Sequence, residues 1–189
     1  MKNILFINAC VRPDSRTFAL AQNVLCKLNG NAEQVNLYDI PLAPLDLRGM
    51  EKREFAGNTR NFDDPSFELA KQFASADAIV VATPYWDMMF PAVLKTYLEN
   101  ITVCGLTFRY SAKGFPQGRC NAKELYYVTT AGGFIGNNDF GFSYIKALAQ
   151  NFFGITEVYR YTAEGLDIAG ADVDAILNKA KEDILSDFQ

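Results

Sequence analysis

The sequence predicts an α/β fold in which a parallel sheet of five strands is covered by helices on both faces. Short apolar runs alternate with helix-length segments, turn residues separate them, and two of the runs are continuously apolar. Continuous apolar runs are typical of parallel strands that are buried on both faces. The chain has 189 residues, of which 49% are hydrophobic, so one domain over residues 1–189 with one substantial core is expected.

Five segments carry the β-branched and aromatic residues that are typical of strands. In chain order, the predicted strands are residues 3–9, 33–38, 78–83, 124–130 and 155–161. The first and third are apolar throughout their centres, which predicts interior strands. The second alternates between polar and apolar residues, which predicts a strand at an edge of the sheet.

Helices are predicted between these strands, and two of them begin near a proline, where proline is tolerated. The predicted helices are residues 17–28, 65–75, 91–101, 140–153 and 171–188. Residues 41–64 are polar and irregular, and residues 102–121 are rich in glycine, aromatic and charged residues. Both stretches are therefore predicted to be loops over a ligand site.

The composition excludes several classes of partner and site. The 18 basic and 22 acidic residues give a net charge of −4 without a basic block, which argues against nucleic acid binding. No apolar run approaches the roughly 18 to 20 residues that cross a bilayer, so we expect a cytoplasmic protein without membrane contact. Histidine is absent and the four cysteines form no C-x-x-C pair, which predicts no metal site and no Ser-His-Asp triad.

The loop after the first predicted strand, residues 10–17, has the composition of a phosphate site. In a flavodoxin-like strand order, ligands bind at the carboxyl ends of strands one and three, and a helix N-terminus supplies unpaired amides there. Ser15 and Thr17 can donate hydroxyl groups, while Arg12 and Arg16 can neutralise an anion. The loop has neither the nucleotide triphosphate motif nor the dinucleotide motif, so it favours the monophosphate of FMN. Alternatively, Ser15 or Thr17 only caps the helix.

The same loop supports a second interpretation. Its Cys-x5-Arg-Thr spacing resembles the loop of low-molecular-weight tyrosine phosphatases, in which Cys10 would be the nucleophile and Arg16 would hold the phosphate. Pro13 removes one amide from such a ring, and the loop contains no glycine for its tight turns. A flavodoxin-type carrier of single electrons is a third alternative, although the acidic docking face and threonine-rich loop of such carriers are not evident.

The loop after the third strand carries a family resemblance. Thr83-Pro84-Tyr85-Trp86-Asp87-Met88, with the Pro-x-x-Leu-Lys that follows, resembles a segment of FMN-dependent NADH azoreductases and their quinone reductase relatives. Two residues depart from the usual pattern of that family, because Trp86 replaces a tyrosine and Asp87 replaces an asparagine. The Asp87 carboxylate cannot donate a hydrogen bond to a flavin as an amide can.

Four further motifs extend the resemblance to Gly165, in the order of the family. They are Gly105-Leu106-Thr107-Phe108-Arg109-Tyr110, Thr130-Ala131-Gly132-Gly133, Phe153-Gly154-Ile155 and Ala163-Glu164-Gly165. The resemblance implies a flavodoxin-like domain that binds FMN without a covalent link, and a homodimer whose two sites are shared between subunits. It also implies NADH or NADPH as electron donor.

The resemblance and the phosphate loop together predict the site residues. The cofactor-binding residues are Arg12, Ser15, Arg16, Thr17, Pro84, Tyr85, Trp86, Asp87, Met88, Thr130, Ala131, Gly132 and Gly133. Phe108 and Tyr110 are predicted walls of the pocket for a quinone, azo or nitroaromatic acceptor. No side chain is predicted to be catalytic, because the flavin supplies the hydride chemistry and water can deliver the proton.

Overall fold

The main sheet has five parallel strands, which confirms the predicted fold class. The computed structural model describes residues 1–188, so Gln189 of the predicted domain lies outside the described residues. The strands of this sheet are β1 (Lys2–Asn8), β2 (Gly30–Asn36), β3 (Ala78–Ala82), β6 (Glu124–Thr130) and β7 (Glu157–Ala163). Their order is β2-β1-β3-β6-β7, so β1 and β3 are interior strands and β2 lies at an edge, as predicted. A separate antiparallel hairpin contains β4 (Phe108–Tyr110) and β5 (Pro116–Gly118).

Six α-helices connect the strands. They are α1 (Arg16–Leu28), α2 (Leu47–Thr59), α3 (Glu68–Ser75), α4 (Ala92–Ile101), α5 (Phe140–Leu148) and α6 (Val173–Asp187). A 3₁₀ turn (Pro65–Phe67) precedes α3, and a π-helical turn (Ala149–Phe153) follows α5. Within residues 1–188, no helix is long and apolar enough to cross a membrane.

The two faces of the sheet bury separate apolar layers. Alternate side chains of β3 point to opposite faces, so Ile79 and Val81 pack into one layer and Val80 packs into the other. The first layer is closed by α3, α4 and α5, and the second by α1 and α6. Every residue of β3 is buried, which explains why this strand is apolar throughout.

Residues 41–64 were predicted to be a loop, and this prediction is wrong, because they contain α2. The helix buries only Ala56, so it lacks the apolar stripe by which an amphipathic helix is found in a sequence. Polar contacts hold it instead. Asp46 caps its N-terminus by accepting a hydrogen bond from the Gly49 amide at 2.8 Å, and Lys52 pairs with Asp64 at 3.0 Å.

Residues 102–121 are also more ordered than a loop, because the β4–β5 hairpin lies within them. Gly118 of β5 lies against the π-helical turn after α5. A Cβ atom on Gly118 would come within 2.1 Å of the Gly154 amide nitrogen, so only glycine allows this close approach.

Two strands are shifted relative to their predicted bounds. Strand β2 begins at Gly30 because its backbone pairs with β1 from Lys2 onward, although its first residues are polar. Strand β7 begins at Glu157 because the Ile155 amide still donates to the Ala149 carbonyl oxygen of the preceding turn. Backbone hydrogen bonds therefore set the residues at which β2 and β7 begin. The side-chain composition of these segments does not reveal those hydrogen bonds.

Candidate functional site

A cleft of about 290 Å³ lies at the carboxyl ends of β1, β3, β6 and β7. It is lined by Cys10, Val11, Arg12, Asp14, Ser15, Arg16, Thr17, Pro84, Tyr85, Trp86, Thr130, Ala131, Gly132, Leu166 and Asp167. Ten of these are predicted cofactor-binding residues, so the fold brings three separate loops of the sequence together at one place. This edge is where ligands bind in open parallel sheets.

The N-terminus of α1 forms one side of the cleft. Ser15 is its N-cap residue, and the Ser15 Oγ accepts a hydrogen bond from the Phe18 amide at 3.2 Å. The Arg16 and Thr17 amides have no acceptor within the helix, because they belong to its first turn. The positive end of the helix dipole and these amides together favour an anion.

Thr17 connects this helix to the end of β6. Its hydroxyl oxygen lies 2.6 Å from that of Thr130, and the Thr17 residue is only 2% exposed. One hydroxyl donates and the other accepts, so the pair retains one further O–H donor for a ligand. The structure thus shows that Thr17 connects the start of α1 to the end of β6. Its contact with a phosphate stays a prediction.

Cys10 lies at the mouth of the phosphate loop. Its thiol donates to the Ala82 carbonyl oxygen at 3.7 Å, and burial raises the pKa of the Cys10 thiol. A phosphatase nucleophile of the predicted kind needs a lowered pKa, so that the thiolate forms. The surroundings of Cys10 therefore do not favour the phosphatase alternative.

The loop after β3 forms a tight turn beside the cleft. The Trp86 and Met89 backbones exchange two hydrogen bonds of 2.8 Å, and Asp87 and Met88 have φ angles of 51° and 67°. Two consecutive positive φ angles are uncommon for residues other than glycine and store strain, which is frequent at functional sites. Tyr85 holds the turn in place, because its hydroxyl donates to the Asn138 carbonyl oxygen at 3.0 Å.

Two predicted flavin contacts at this turn do not line the cleft. Asp87 and Met88 occupy the exposed tip of the turn, whereas Pro84, Tyr85 and Trp86 face the cleft. Gly133 in the neighbouring loop is also outside the lining. The predicted roles of these three outer residues stay predictions.

The loops after β6 and β7 are joined by backbone hydrogen bonds. The Leu166 amide donates to the Ala131 carbonyl oxygen at 3.2 Å, and the Asp167 amide donates to the Gly132 carbonyl oxygen at 2.9 Å. Asp167 was not among the predicted site residues, although the Ala163-Glu164-Gly165 motif ends two residues before it. Its carboxylate accepts a hydrogen bond from the Arg16 guanidinium, with an Nη1–Oδ1 distance of 3.1 Å.

The predicted acceptor residues lie on the hairpin, away from this cleft. Phe108 is only 6% exposed and packs edge-on against Phe152, with ring centroids 5.1 Å apart. Tyr110 is 56% exposed and lies against Phe108. Within one chain, the structure therefore does not bring these two residues to the predicted cofactor site.

A larger cavity of about 700 Å³ lies beside α2. Charged residues of both signs line it, including Arg48, Glu51 and Lys52, and none of the predicted site residues does. Size alone does not indicate a ligand site when no chemically distinctive groups converge there. Among residues 1–188, no group of three or more cysteines, aspartates or glutamates is placed to hold a metal ion.

Comparison with known proteins agrees with the fold and the motifs. A sequence profile of the family described as Flavodoxin-like fold matches residues 2–188. An FMN-dependent NADH:quinone oxidoreductase of Lachnoclostridium phytofermentans is 32% identical over 191 residues, which cover 96% of this chain and 96% of that protein. This chain belongs to the flavodoxin-like family. A second member, the FMN-dependent NADH:quinone oxidoreductase of Clostridium beijerinckii, is 31% identical over 95% of this chain and 94% of its own.

Two solved structures have the same fold as this chain. The FMN-dependent NADH-azoreductase of Bacillus anthracis, solved in complex with FMN, aligns with a TM-score of 0.81 and 24% identity, over 100% of this chain and 98% of that one. An azoreductase from the Sterne strain of the same species gives a TM-score of 0.84 at 22% identity, covering 100% and 99% of the two chains. At these identities the likeness shows the fold alone.

Proposed function

We propose that this chain is an FMN-dependent oxidoreductase that transfers hydride from NADH or NADPH to quinones, azo compounds or other two-electron acceptors. One observation carries the proposal, because a single cleft joins a helix N-terminus suited to an anion with an aromatic turn suited to a flat ring. The names of the relatives from Lachnoclostridium and Clostridium support the same activity.

The residues of the cleft fit FMN at both ends. At the phosphate end, the Arg16 and Thr17 amides, the Ser15 hydroxyl and the Arg12 guanidinium can bind a monophosphate. At the ring end, Tyr85 and Trp86 offer apolar surface. The backbone of residues Thr130–Gly132 lines the same cleft and can approach the edge of the flavin ring system. We infer non-covalent binding.

The protein's part in the reaction is to bind and orient, because FMN supplies hydride chemistry when it is bound. The chain has no histidine, so water is the simplest source of the proton that the acceptor takes up. Trp86 stands at the edge of the cleft with 41% of its surface exposed, so one side of the cleft stays open to small molecules.

We expect ping-pong kinetics, because donor and acceptor must both reach the same exposed side of the cleft in turn. The test begins with purified protein, whose visible absorption spectrum and released cofactor should show one FMN per chain. Steady-state rates with NADH and a benzoquinone should then give parallel double-reciprocal lines. Protein that neither contains nor takes up FMN would refute the proposal, and intersecting lines would refute the ping-pong mechanism alone.

The same assay separates the proposal from its rivals. Cys10→Ser should leave NADH-dependent quinone reduction within a few fold, because no electron passes through the sulfur. A phosphatase that uses Cys10 and Arg16 would lose all hydrolysis of p-nitrophenyl phosphate with the same change. An electron carrier of the flavodoxin type would bind FMN but would not oxidise NADH at a catalytic rate.

We also propose that the chain folds as one domain and acts as a homodimer. Phe108 and Tyr110 lie on the hairpin and not at the cleft of their own chain. In a dimer, the hairpin of one subunit can complete the acceptor pocket at the cleft of the other.

A further inference from the structure

The Asp167 side chain lines the candidate cleft with 72% of its surface exposed, in a position that the predicted phosphate site does not explain. It extends from the loop after β7 and contacts both sides of the cleft. On one side, its Oδ1 accepts a hydrogen bond from Arg16 at 3.1 Å. On the other side, it lies over Gly132, in the loop after β6.

Backbone hydrogen bonds hold the loop that carries this side chain. The Asp167 amide donates to the Gly132 carbonyl oxygen at 2.9 Å, and the Gly165 amide donates to the Gly133 carbonyl oxygen at 2.9 Å. A Cβ atom at position 132 would lie 2.3 Å from Oδ2 of Asp167, so any other residue there would displace the carboxylate. Gly132 thus makes room for Asp167, a role that the sequence did not indicate.

The chemistry of a carboxylate limits what it can bind at this place. An ionised carboxylate only accepts hydrogen bonds, so it suits hydroxyl groups and repels a phosphate. Asp167 lies between the helix N-terminus, which suits the phosphate of FMN, and the loop after β6, which suits its ring system. The part of FMN between the phosphate and the rings is the ribityl chain, whose hydroxyl groups are hydrogen-bond donors.

We propose that Asp167 binds the ribityl hydroxyl groups of the flavin and that Arg16 holds its carboxylate in the orientation for this contact. The inference rests on the proposed function and adds a residue that determines which part of the cofactor is recognised. Hydrogen bonds from hydroxyl groups to a carboxylate are short and about twice as strong as those between neutral groups. Asp167 therefore contributes to flavin affinity independently of the phosphate.

A series of three flavins tests this assignment. Lumiflavin has the ring system alone, riboflavin adds the ribityl chain, and FMN adds the phosphate. Dissociation constants would be measured by flavin fluorescence with the full-length chain after removal of its cofactor. Asp167→Ala should weaken riboflavin and FMN by a similar factor, about tenfold or more, and should leave lumiflavin affinity unchanged. Asp167→Asn keeps a carbonyl acceptor and should show a smaller loss.

Each other pattern overturns the assignment. If only FMN binding changed, Asp167 would act on the phosphate through Arg16. If all three flavins weakened together, its role would be structural, and a lowered unfolding midpoint would accompany that result. Asp14 lines the same cleft from the loop after β1 and also carries a negative charge. An equal loss of riboflavin affinity in Asp14→Ala would likewise overturn the specific role of Asp167.

The two proposals fail in distinguishable ways. Unaltered protein that binds none of the three flavins would refute the proposed function, and this inference with it. If the unaltered protein binds FMN and riboflavin, and Asp167→Ala binds both of them equally tightly, this inference alone is refuted.

Discussion

The four cysteines of this protein differ in how far the fold buries them. Cys26 and Cys104 are exposed, Cys10 is half-buried, and Cys120 is buried. Burial raises the pKa of the Cys10 thiol and raises that of Cys120 to about 12. Since the thiolate is the reactive form, a raised pKa lowers the fraction of each thiol that can react at neutral pH.

We predict an order of alkylation that follows this difference. With iodoacetamide at pH 8, Cys26 and Cys104 should react first, Cys10 more slowly, and Cys120 only when the protein unfolds. Raising the pH should speed the reaction of Cys10, because burial raises the pKa of its thiol. Peptide mass spectrometry over a time course gives the rate for each residue. The fastest rate at Cys10 would indicate an activated thiolate and favour the phosphatase alternative.

At the scale of elements, one network of charged side chains joins the loops that surround the cleft. Arg160 of β7 pairs with Asp139 through an Nε–Oδ2 distance of 2.8 Å and with Glu164 at 3.3 Å. Asp139 also caps α5 by accepting from the Phe142 amide, and Glu164 accepts from the Ile135 amide at 2.9 Å. The network therefore fixes residues 135–142 against β7.

We predict that Arg160→Met destabilises the protein by about 2 to 3 kcal/mol, because it leaves the largely buried Asp139 carboxylate without its partner. Methionine retains most of the packing of the arginine stem, so the loss reports on the charge. Urea denaturation of both proteins measures the difference in their free energy of unfolding. Lys179→Met is the matched control, because its pair with Asp183 is exposed and should contribute less than about 1 kcal/mol. Equal losses in the two variants would contradict the prediction.

At the scale of the whole molecule, the predicted acceptor residues and the cofactor cleft lie apart in one chain. Tyr110 and Phe115 of the hairpin region are 56% and 67% exposed, which leaves apolar surface available for a second subunit. Exposed apolar surface of this kind is frequent at protein interfaces. The proposed homodimer accounts for the separation of the hairpin from the cleft and for the exposed apolar side chains of the hairpin.

We predict that light scattering gives a mass of twice the 21.1 kDa subunit in solution. Tyr110→Asp places a charge on the hairpin, so it should weaken the dimer and raise the KM for a quinone. FMN content should not change, because Tyr110 lies outside the cleft. A monomer that reduces quinones at full rate would contradict the role of the second subunit.

The sequence by itself determined the fold class and most of the residues that line the candidate cleft. Parallel strands that are buried on both faces must be apolar throughout, so β1 and β3 were recognisable as interior strands. The loops that follow these strands carry distinctive residues, such as Ser15, Tyr85 and Trp86, and the rule that ligands bind at strand ends places them together. Local composition was sufficient because each of these features depends on residues that are close in the chain.

Only the tertiary structure decided the features that depend on distant partners. Helix α2 shows no apolar stripe in the sequence, because it buries only Ala56. The start of β2 is set by backbone pairing with β1, to which side chains contribute little. Asp167 enters the cleft because Gly132, 35 positions earlier in the chain, leaves room for its carboxylate. Such contacts arise when loops from separate strands meet at one edge of the sheet, and no local pattern encodes them.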